Sequence, residues 1–300
     1  MTTATTQKVA IIGAGLMGTG IAHAFASSGF ATVLIDQSAQ ALRSAQETIG
    51  AMLDDGVSRG KLTTEQSTEA REKLTTSSSL AAASGTNLLV ETVSEVLTTK
   101  LAVIAEAEPV LAPDAVIATN TSALSVTEIA CASSDPGRMI GMHFFNPVHK
   151  MKLLELVRGL ETSDDTVARA KAYSDAIGKT SIVVNETPGL TTSRMSAMLG
   201  NEAMYMLMEG TATAEDIDTA LRLGFNHPMG PLELGDLTGW DTRLAVTRDL
   251  HQTLGEKFRP CPLMVKMVAA GRLGRKSGAG VYQYRDGQKV PGSGLKGSAL

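Results

Sequence analysis

The stretch that decides the fold is Lys8–Gly18, KVAIIGAGLMG, close to the start of the chain. Its first half is an unbroken apolar run, which is typical of a parallel strand buried on both faces. Its second half spaces three glycines for a turn that leads from a strand directly into a helix. Gly13 would make the tight turn, Gly15 would let the backbone approach a pyrophosphate, and Gly18 would let the helix pack closely on the strand. The pattern predicts a dinucleotide at the N-terminus of the first helix.

A second predicted strand, Ala31–Asp36, ends in an acidic residue 18 positions after Gly18. There Asp36 would accept hydrogen bonds from the adenosine ribose and repel a 2′-phosphate, so the sequence favours NAD over NADP. Leu16 and Met17, which lie between the second and third glycines, would complete this part of the cofactor site. The alternatives are a flavin at the same glycines, or a purely structural turn beside a surface aspartate.

Strands and helices alternate over the first 187 residues. Short apolar runs predict strands at Lys8–Gly13, Ala31–Asp36, Asn87–Thr92, Val116–Thr121 and Arg138–His143. Helical stretches lie between them, including Leu16–Ser28 and the polar segment Ser38–Leu74, and Thr75–Gly85 is interpreted as a surface connection. This alternation predicts an α/β fold with a Rossmann-type, doubly wound parallel sheet over residues 1–187.

The pattern changes at Pro188, after which strand signals stop. Long amphipathic segments predict helices at Thr191–Glu209, Ala214–Leu223, Leu232–Leu254 and Pro262–Ala270. Thr213 is a candidate N-cap, and Gly210 and Gly224 are candidate residues just beyond helix ends. We therefore predict an all-α C-terminal domain over residues 188–300. Long apolar-faced helices in so small a domain also favour a homodimer.

Composition and charge exclude several classes of protein. The net charge is −4, from 27 Lys and Arg against 31 Asp and Glu, without a long basic run, so we expect no nucleic-acid partner. No apolar run approaches the roughly 20 residues of a membrane span. Met1–Gln7 is polar and Thr-rich, so we expect no signal peptide. Cys131 and Cys261 are too few and too far apart for a disulfide framework or a metal site, which favours a cytoplasmic protein without a metal.

Two polar residues follow later strands, where ligands bind in open α/β sheets. Ser122 lies in Asn-Thr-Ser after one strand, and His143 begins the string HFFNP at the end of the next. Glu155 interrupts an apolar run, and a carboxylate there needs a partner, which His143 could be. A packed histidine and a capping serine are the structural alternatives. Their positions make the three residues candidate site residues at this edge of the sheet.

Five strings extend these features over nearly the whole chain. They are GAGLMGTGIA (13–22), NTSALSVTEIA (120–130), GMHFFNPVHKMKLLELV (141–157), LGFNHPMGPLELGDLTGWD (223–241) and GRLGRKSGAGVY (271–282). With them the chain resembles the 3-hydroxyacyl-CoA dehydrogenases, most of all the bacterial short-chain 3-hydroxybutyryl-CoA enzymes. The resemblance implies an NAD-dependent oxidoreductase of fatty acid metabolism. Such an enzyme interconverts a 3-hydroxyacyl-CoA and the 3-oxoacyl-CoA, and dimerises through its C-terminal domain.

The resemblance also implies roles for single residues. His143 would be the general acid/base for the substrate hydroxyl, and Glu155 would orient it and stabilise its protonated form. Ser122 would hydrogen-bond the substrate oxygen and lie beside the cofactor.

Four further residues would belong to the cofactor site by the same resemblance. Glu95, Lys100 and Asn146 would contact the nicotinamide half of NAD. Lys276, in the closing GRK string, would reach the cofactor from the second domain.

Two departures from the family pattern bear on the substrate. Most members carry an asparagine that completes the site, and this chain has Ser193 in its place; we expect Ser193 to serve the site still. Arg59 and Lys61 fall in the region where the family binds the coenzyme A phosphates, but Asp55 stands where a close relative has lysine. The alternatives are solvated charges at a helix end, an acyl-carrier-protein substrate, a free hydroxy acid or sugar acid, and a non-catalytic NAD-binding relative.

Overall fold

The protein was described from a computed structural model over residues 7–296. The chain divides into two compact units, Met1–Glu186 and Thr187–Leu300. The second unit thus begins one residue before the boundary predicted at Pro188. Within residues 7–296, no helix is long and apolar enough to cross a membrane. The prediction that Met1–Gln7 is not a signal peptide concerns seven residues, and the first six of them lie outside this range.

The first unit is built on one eight-stranded sheet. Its strands are β1 (Lys8–Ile12), β2 (Ala31–Ile35), β3 (Leu74–Ser77), β4 (Leu88–Glu91), β5 (Val116–Thr119), β6 (Met139–Phe144), β7 (Leu153–Arg158) and β8 (Thr180–Asn185). They lie in the order β3-β2-β1-β4-β5-β6-β7-β8. The first six strands are parallel, while β7 runs antiparallel to β6 and β8 runs parallel to β7. The predicted Rossmann-type fold and its five predicted strands are confirmed.

Helices cover both faces of this sheet. They are α1 (Leu16–Ser27), α2 (Ala39–Ser58), α3 (Thr64–Lys73), α4 (Leu97–Ala107), α5 (Val126–Ala130) and α6 (Asp164–Ala176). Alternate residues of β1 enter different cores: Val9 and Ile11 pack on the side of α1, and Ala10 and Ile12 on the side of α4. Burial of both faces explains why the strand reads as a continuous apolar run.

Three features of the first unit differ from the sequence prediction. The segment Ser38–Leu74 forms two helices, because Thr63 and Gln66 make a reciprocal capping box that starts α3. The interpretation of Thr75–Gly85 as a surface connection is wrong, since β3 and the 3-10 turn Leu80–Ala83 fall there. The sheet is also not wholly parallel, because β7 and β8 extend it beyond the predicted strands.

The second unit is helical, as predicted. Its helices are α7 (Thr192–Glu209), α8 (Ala214–Gly224), α9 (Pro231–Thr238), α10 (Trp240–Leu254) and α11 (Pro262–Ala269), and a small hairpin pairs β9 (Tyr284–Arg285) with β10 (Gln288–Lys289). Gly239, at φ +97°, separates α9 from α10 where one helix was predicted. Gly210 ends α7 at φ +72° and Thr213 caps α8 through its side chain, both as predicted. Gly224 is instead the last residue of α8.

A buried carboxylate explains the closing glycine-rich string of the second unit. Asp236 is fully buried in α9 and accepts hydrogen bonds from Trp240 Nε1 at 2.6 Å and from the main-chain N–H groups of Val281 and Tyr282, both at 2.8 Å. A Cβ at Gly280 would lie 1.9 Å from Asp236 Oδ1, so the string needs glycine there. These contacts fix the chain just before β9 to α9.

Candidate active site

The glycine turn after β1 has the close contacts that its sequence predicts. Gly13 has φ +104°, and a Cβ there would lie 2.8 Å from the Thr92 carbonyl oxygen. A Cβ at Gly18 would lie 1.8 Å from the Gly13 carbonyl oxygen, so α1 can approach the turn only with glycine at this position. No atom lies within 4 Å of the Cβ position of Gly15, and the next side chain, Leu16, is 72% exposed. The open side of the turn therefore leaves the backbone accessible to a ligand at the start of α1.

Asp36 lies beside this turn and holds it. Its Oδ2 accepts a hydrogen bond from the Ala14 N–H at 2.8 Å, and its Oδ1 accepts one from the Ser38 N–H at 2.8 Å. The half-buried carboxylate thus joins the end of β2 to the glycine turn after β1. An acceptor at the end of β2 is what recognition of a ribose requires.

A cavity of about 420 Å³ opens next to Asp36. Gln37, Ser79, Val93 and Val103 are among the residues that line it. The sequence analysis did not identify these four. Three of them follow the ends of β2, β3 and β4, and this shared position at one sheet edge was the available signal.

A second cavity, of about 520 Å³, lies on the other side of the glycine turn. It is lined by Gly15 and Leu16, by Thr48 of α2, and by the loop that contains Asn146 and His149. The predicted cofactor residues Leu16 and Asn146 therefore border the same space.

A fully buried ion pair lies under the carboxyl ends of β4 and β5. The Lys100 ammonium, on α4, donates to both carboxylate oxygens of Glu91 at 3.0 and 3.1 Å. The same ammonium lies 3.2 Å from Glu95 Oε2. Its side chain is only 1% exposed, so Lys100 lies beneath the site surface and its predicted contact with the cofactor stays a prediction.

Glu95 connects this ion pair to the loop that carries Ser122. Its Oε1 accepts hydrogen bonds from the Thr121 hydroxyl, from the Ser122 N–H at 3.0 Å and from the Ala123 N–H at 3.3 Å. Partial burial alone would raise the pKa of Glu95, but the Thr121 hydroxyl and the Lys100 charge together bring it below its ordinary value. Glu95 is therefore ionised at neutral pH.

His143 and Glu155 form the buried pair that the sequence analysis expected. They are register partners on β6 and β7, and Nδ1 of His143 lies 2.8 Å from Oε2 of Glu155. Glu155 is fully buried, and the Phe145 ring lies 4.6 Å from the imidazole, centroid to centroid. Since Nδ1 is occupied by the carboxylate, Nε2 is the nitrogen left for a ligand.

Ser122 and His143 come from neighbouring parallel strands. Ser122 is exposed in the loop after β5, and His143 lies near the end of β6. Asn120 links the two strand ends, because its Oδ1 accepts the Phe144 N–H at 2.8 Å. Asn120 was missed from the sequence, although it opens the Asn-Thr-Ser string.

The basic residues predicted to bind phosphate lie around the turn after α2. Arg59 ends α2, and its Nε donates to Asp55 at 2.8 Å, so that guanidinium is partly neutralised. Lys61 is exposed in the same turn. Burial, followed by the positive charges of Lys150 and Lys61, lowers the pKa of His149, which places a weakly basic imidazole among cations beside the second cavity.

Ser193 and Lys276 belong to the helical unit. Ser193 lies in the first turn of α7, after an N-cap residue, Thr191, whose side chain makes no cap hydrogen bond. The Lys276 ammonium donates to Asp241 Oδ2 at 2.7 Å, at the start of α10. The parts of these two residues in the reaction stay predictions.

Both cysteines have free thiols. Within residues 7–296, no group of three or more His, Cys, Asp or Glu residues is placed to hold a metal ion.

Comparison with known proteins agrees with this geometry. The chain is 43% identical over 286 residues to a 3-hydroxybutyryl-CoA dehydrogenase of Bradyrhizobium diazoefficiens, covering 95% of this chain and 98% of that protein. It is 41% identical to a 3-hydroxyadipyl-CoA dehydrogenase of Escherichia coli, covering 93% of this chain and 59% of that protein. The crystal structure of an (S)-3-hydroxybutyryl-CoA dehydrogenase from Ralstonia eutropha superposes with a TM-score of 0.90 at 41% identity, covering 93% and 99% of the two chains.

Two family domains span the chain nearly end to end. Residues 8–187 match the 3-hydroxyacyl-CoA dehydrogenase NAD binding domain, and residues 189–284 match the C-terminal domain of the same family. The first match contains the glycine turn, Asp36 and the His143–Glu155 pair, and it confirms the prediction of an NAD-dependent oxidoreductase. The chain therefore belongs to the 3-hydroxyacyl-CoA dehydrogenase family.

Proposed function

We propose that the protein interconverts a 3-hydroxyacyl thioester of coenzyme A and the matching 3-oxoacyl thioester, with NAD(H) as the hydride carrier. The observation that carries the proposal is the buried His143–Glu155 pair at the sheet edge where the glycine turn lies. Relatives named for 3-hydroxybutyryl-CoA favour a short acyl chain.

The residues of the first unit suit NAD. Gly13 and Gly18 allow the tight turn, Gly15 leaves the backbone open, and Asp36 is an acceptor beside it. Main-chain N–H groups at the start of α1 would face the pyrophosphate, and the cavity of about 420 Å³ beside Asp36 would hold the adenosine. Bound NAD supplies the hydride acceptor at C4 of its nicotinamide ring.

The proton of the reaction is handled by His143. In the oxidation, the substrate hydroxyl donates its proton to Nε2 while the hydride leaves C3. The imidazolium that forms is stabilised by Glu155 at 2.8 Å from Nδ1, and the same contact fixes which nitrogen faces the substrate. In the reduction, Nε2 returns the proton to the new alkoxide.

Around this step, other residues position the reactants. Ser122 would hydrogen-bond the substrate oxygen, and Glu95 and Asn146 would hold the nicotinamide half of the cofactor. Lys276 would also contact the cofactor. Ser193 would serve the site from the helical unit.

Coenzyme A is the carrier that the surface charges favour. Lys61, Lys150 and His149 lie close enough for the two lysines to lower the pKa of the imidazole. The cavity of about 520 Å³, which His149 lines, could take part of the carrier. A free hydroxy acid would not need basic groups beside a cavity of this size.

The test is NADH oxidation with acetoacetyl thioesters. We expect acetoacetyl-CoA to be reduced with a far higher kcat/KM than acetoacetate, and a 3-oxoadipyl-CoA comparison will show the acyl-chain preference. Equal kcat/KM for acetoacetate and acetoacetyl-CoA would contradict a thioester substrate, and NADH binding without any turnover would indicate a non-catalytic relative.

The carrier is tested with a truncated substrate. Lys61→Gln should raise KM for acetoacetyl-CoA at least threefold, because one charge-assisted phosphate contact is lost. It should leave kcat/KM for acetoacetyl-N-acetylcysteamine unchanged, because that thioester lacks the nucleotide. The matched control is Lys171→Gln, a lysine on α6 whose partner is Asp175. An unchanged KM in Lys61→Gln would contradict the phosphate contact.

We also propose a cytoplasmic homodimer that forms through the helical unit. Leu223 and Phe225, at the end of α8, are 73% and 74% exposed, and Met195 and Leu199 of α7 are exposed too. So many exposed large apolar side chains in a domain of this size favour burial against a second copy. Light scattering should give the dimer mass at micromolar concentration, and Phe225→Asp should weaken association. A monomer at that concentration would contradict the proposal.

A further inference from the structure

We propose that Glu91, which takes no part in the reaction scheme above, is a positioning residue that holds the Ser122 loop through Lys100 and Glu95. The inference rests on the proposed function, because that function places Ser122 on the substrate oxygen. Glu91 is a buried charge that would act without touching substrate or cofactor.

Glu91 joins three elements at the carboxyl edge of the sheet. It is the last residue of β4 and is fully buried. Its Oε1 accepts the Val93 N–H at 2.6 Å, and its Oε2 accepts the Thr119 hydroxyl at 2.6 Å, at the end of β5. Both oxygens accept from Lys100 on α4. With four hydrogen bonds accepted, this carboxylate has a fixed position and orientation.

The charge of Glu91 makes the burial of Lys100 possible. An ammonium that is 1% exposed needs compensating charge, and Glu91 contributes most of it through two hydrogen bonds. The ammonium also lies 3.2 Å from Glu95 Oε2. Lys100 is therefore a bridge between an inner carboxylate and an outer one.

Glu95 connects Lys100 to the Ser122 loop. Its side chain is 39% exposed, and the contact with Lys100 anchors one of its two carboxylate oxygens. Its other oxygen accepts from the Thr121 hydroxyl and from the N–H groups of Ser122 and Ala123. The loop that presents Ser122 is thus tied to Glu91 by a chain of alternating charges.

Glu91→Gln changes the charge and one hydrogen-bonding group while nearly preserving volume. The new amide NH₂ would face the Lys100 ammonium whichever oxygen it replaces, because Lys100 donates to both carboxylate oxygens. Lys100 would lose the negative charge of its inner partner and one of its two hydrogen bonds to residue 91, so its contact with Glu95 would change. We expect the Ser122 loop to lose its fixed position although the fold is kept.

The first measurement does not depend on activity. Hydrogen exchange of a peptide that covers residues 119–125 should be at least fivefold faster in Glu91→Gln, because the amides of Ser122 and Ala123 lose a fixed acceptor. The matched control is Glu108→Gln, which removes a carboxylate charge at the opposite sheet edge, where Arg138 is its partner. Exchange of 119–125 should stay unchanged in the control. Equal exchange in Glu91→Gln and wild type would overturn the proposal.

The second measurement asks whether Glu91 acts through Ser122. Glu91→Gln should lower kcat/KM for acetoacetyl-CoA at least tenfold in the wild-type background, but less than threefold in a Ser122→Ala background. Glu108→Gln should have the same effect, if any, in both backgrounds. The kinetic isotope effect with NADH deuterated at the transferred position should rise in Glu91→Gln, because a misplaced serine slows the chemical step. A tenfold loss of equal size in both backgrounds would overturn the positioning role.

Two provisions keep the outcomes separate. If Glu91→Gln does not fold, Thr119→Val removes one hydrogen bond to Glu91 and keeps the ion pair. Thr119→Val should also speed exchange of residues 119–125 and should lower kcat/KM only when Ser122 is present, with both effects smaller than in Glu91→Gln. Absence of these effects would overturn the proposal. If wild type fails to reduce acetoacetyl-CoA, the proposed function fails, and the exchange measurement alone decides whether Glu91 holds the loop.

Discussion

His143 and Glu155 face each other across β6 and β7. These two strands are antiparallel, whereas all other neighbouring strands of the eight-stranded sheet are parallel. Nδ1 and Oε2 are 2.8 Å apart, although the residues are 12 positions apart in sequence. A parallel neighbour would have to return through a long crossover, whereas the antiparallel β7 returns at once and places its carboxylate opposite the histidine. The reversal of strand direction therefore builds the acid/base pair.

His143→Gln should lower kcat for acetoacetyl-CoA reduction by roughly 10²–10⁴-fold, the usual contribution of general acid/base catalysis. NADH affinity, measured by fluorescence titration, should change less than threefold. His251→Gln is the matched control, because His251 is a surface histidine of the helical unit paired with Glu256. A loss of kcat below about tenfold would argue against the role of His143.

Glu155→Gln should lower kcat at least tenfold with little change in volume. A neutral amide does not stabilise the imidazolium, and its NH₂ group can donate to Nδ1, which would move the ring proton to Nε2. Steady-state kinetics with acetoacetyl-CoA give the kcat, and thermal unfolding tests whether the fold is kept. A folded Glu155→Gln enzyme with wild-type kcat would show that the carboxylate charge is not needed.

Asp36→Ala should weaken NADH binding about tenfold and reduce the discrimination against NADPH. Two effects should add, because the side chain lost is the proposed ribose acceptor and also accepts from the Ala14 and Ser38 N–H groups. Asp36→Asn tests the charge, because it keeps one acceptor oxygen but loses the negative charge and one of the two main-chain contacts. Titration of each variant with NADH and NADPH measures both. Equal affinity of wild type for the two cofactors would show that the interpretation of Asp36 is wrong.

The parts of the fold that were predictable have local signals. The apolar strand, the glycine turn and Asp36 lie within 29 residues, from Lys8 to Asp36, and each follows from residue type and spacing. The strand β3 was not predictable in this way, because LTTS at a sheet edge reads like a polar connection. The strand β7 was not predicted, because the acidic Glu155 interrupts its apolar pattern.

The site was predictable only where a residue stands out from its neighbours. Glu155 stood out as an acid in an apolar run, and its pairing with His143 followed from the cost of burying it. Glu91 did not, because an acidic residue at a strand end is common and its partners, Lys100 and Thr119, lie 9 and 28 positions away. Tertiary structure is what turns these three residues into one cluster.

Acid should destabilise the protein through His23. Burial, followed by the charges of His149 and Lys179, lowers the pKa of His23 to about 4 from 6.5, and neither ring nitrogen has a hydrogen-bond partner. As the pH falls from 6.5 to 4, the unfolded chain binds a proton that the folded protein resists, so the free energy of unfolding falls. Between pH 7 and 4.5, His23 should lower the free energy of unfolding by about 2–3 kcal/mol.

Urea unfolding at pH 7 and pH 4.5 measures this loss. In His23→Gln the acid loss should be smaller than in wild type by about that 2–3 kcal/mol, because the titrating group is gone. His251→Gln, at the surface, should lose stability as wild type does. The same acid loss in His23→Gln and wild type would show that His23 does not contribute.

Ser193 is one of the two positions at which the sequence is expected to depart from the family pattern. A serine hydroxyl can both donate and accept, directly or through one bridging water, so it can replace an asparagine amide at a shorter reach. If Ser193 serves the site, Ser193→Ala leaves a partner group unpaired. It should then lower kcat/KM for acetoacetyl-CoA by about five- to 150-fold, or roughly 1–3 kcal/mol.

The alternative for Ser193 is a local role in the first turn of α7, and two comparisons separate the roles. Ser193→Asn should be tolerated under the catalytic role, because asparagine is the residue that the family resemblance implies at this position. Thr192→Ala, the neighbouring hydroxyl in the same turn, controls for loss of helix stability, which thermal unfolding reports. If Ser193→Ala keeps kcat/KM within twofold of wild type, the residue has no part in catalysis. If it loses activity only in step with a lower Tm, its role is that of the helix start.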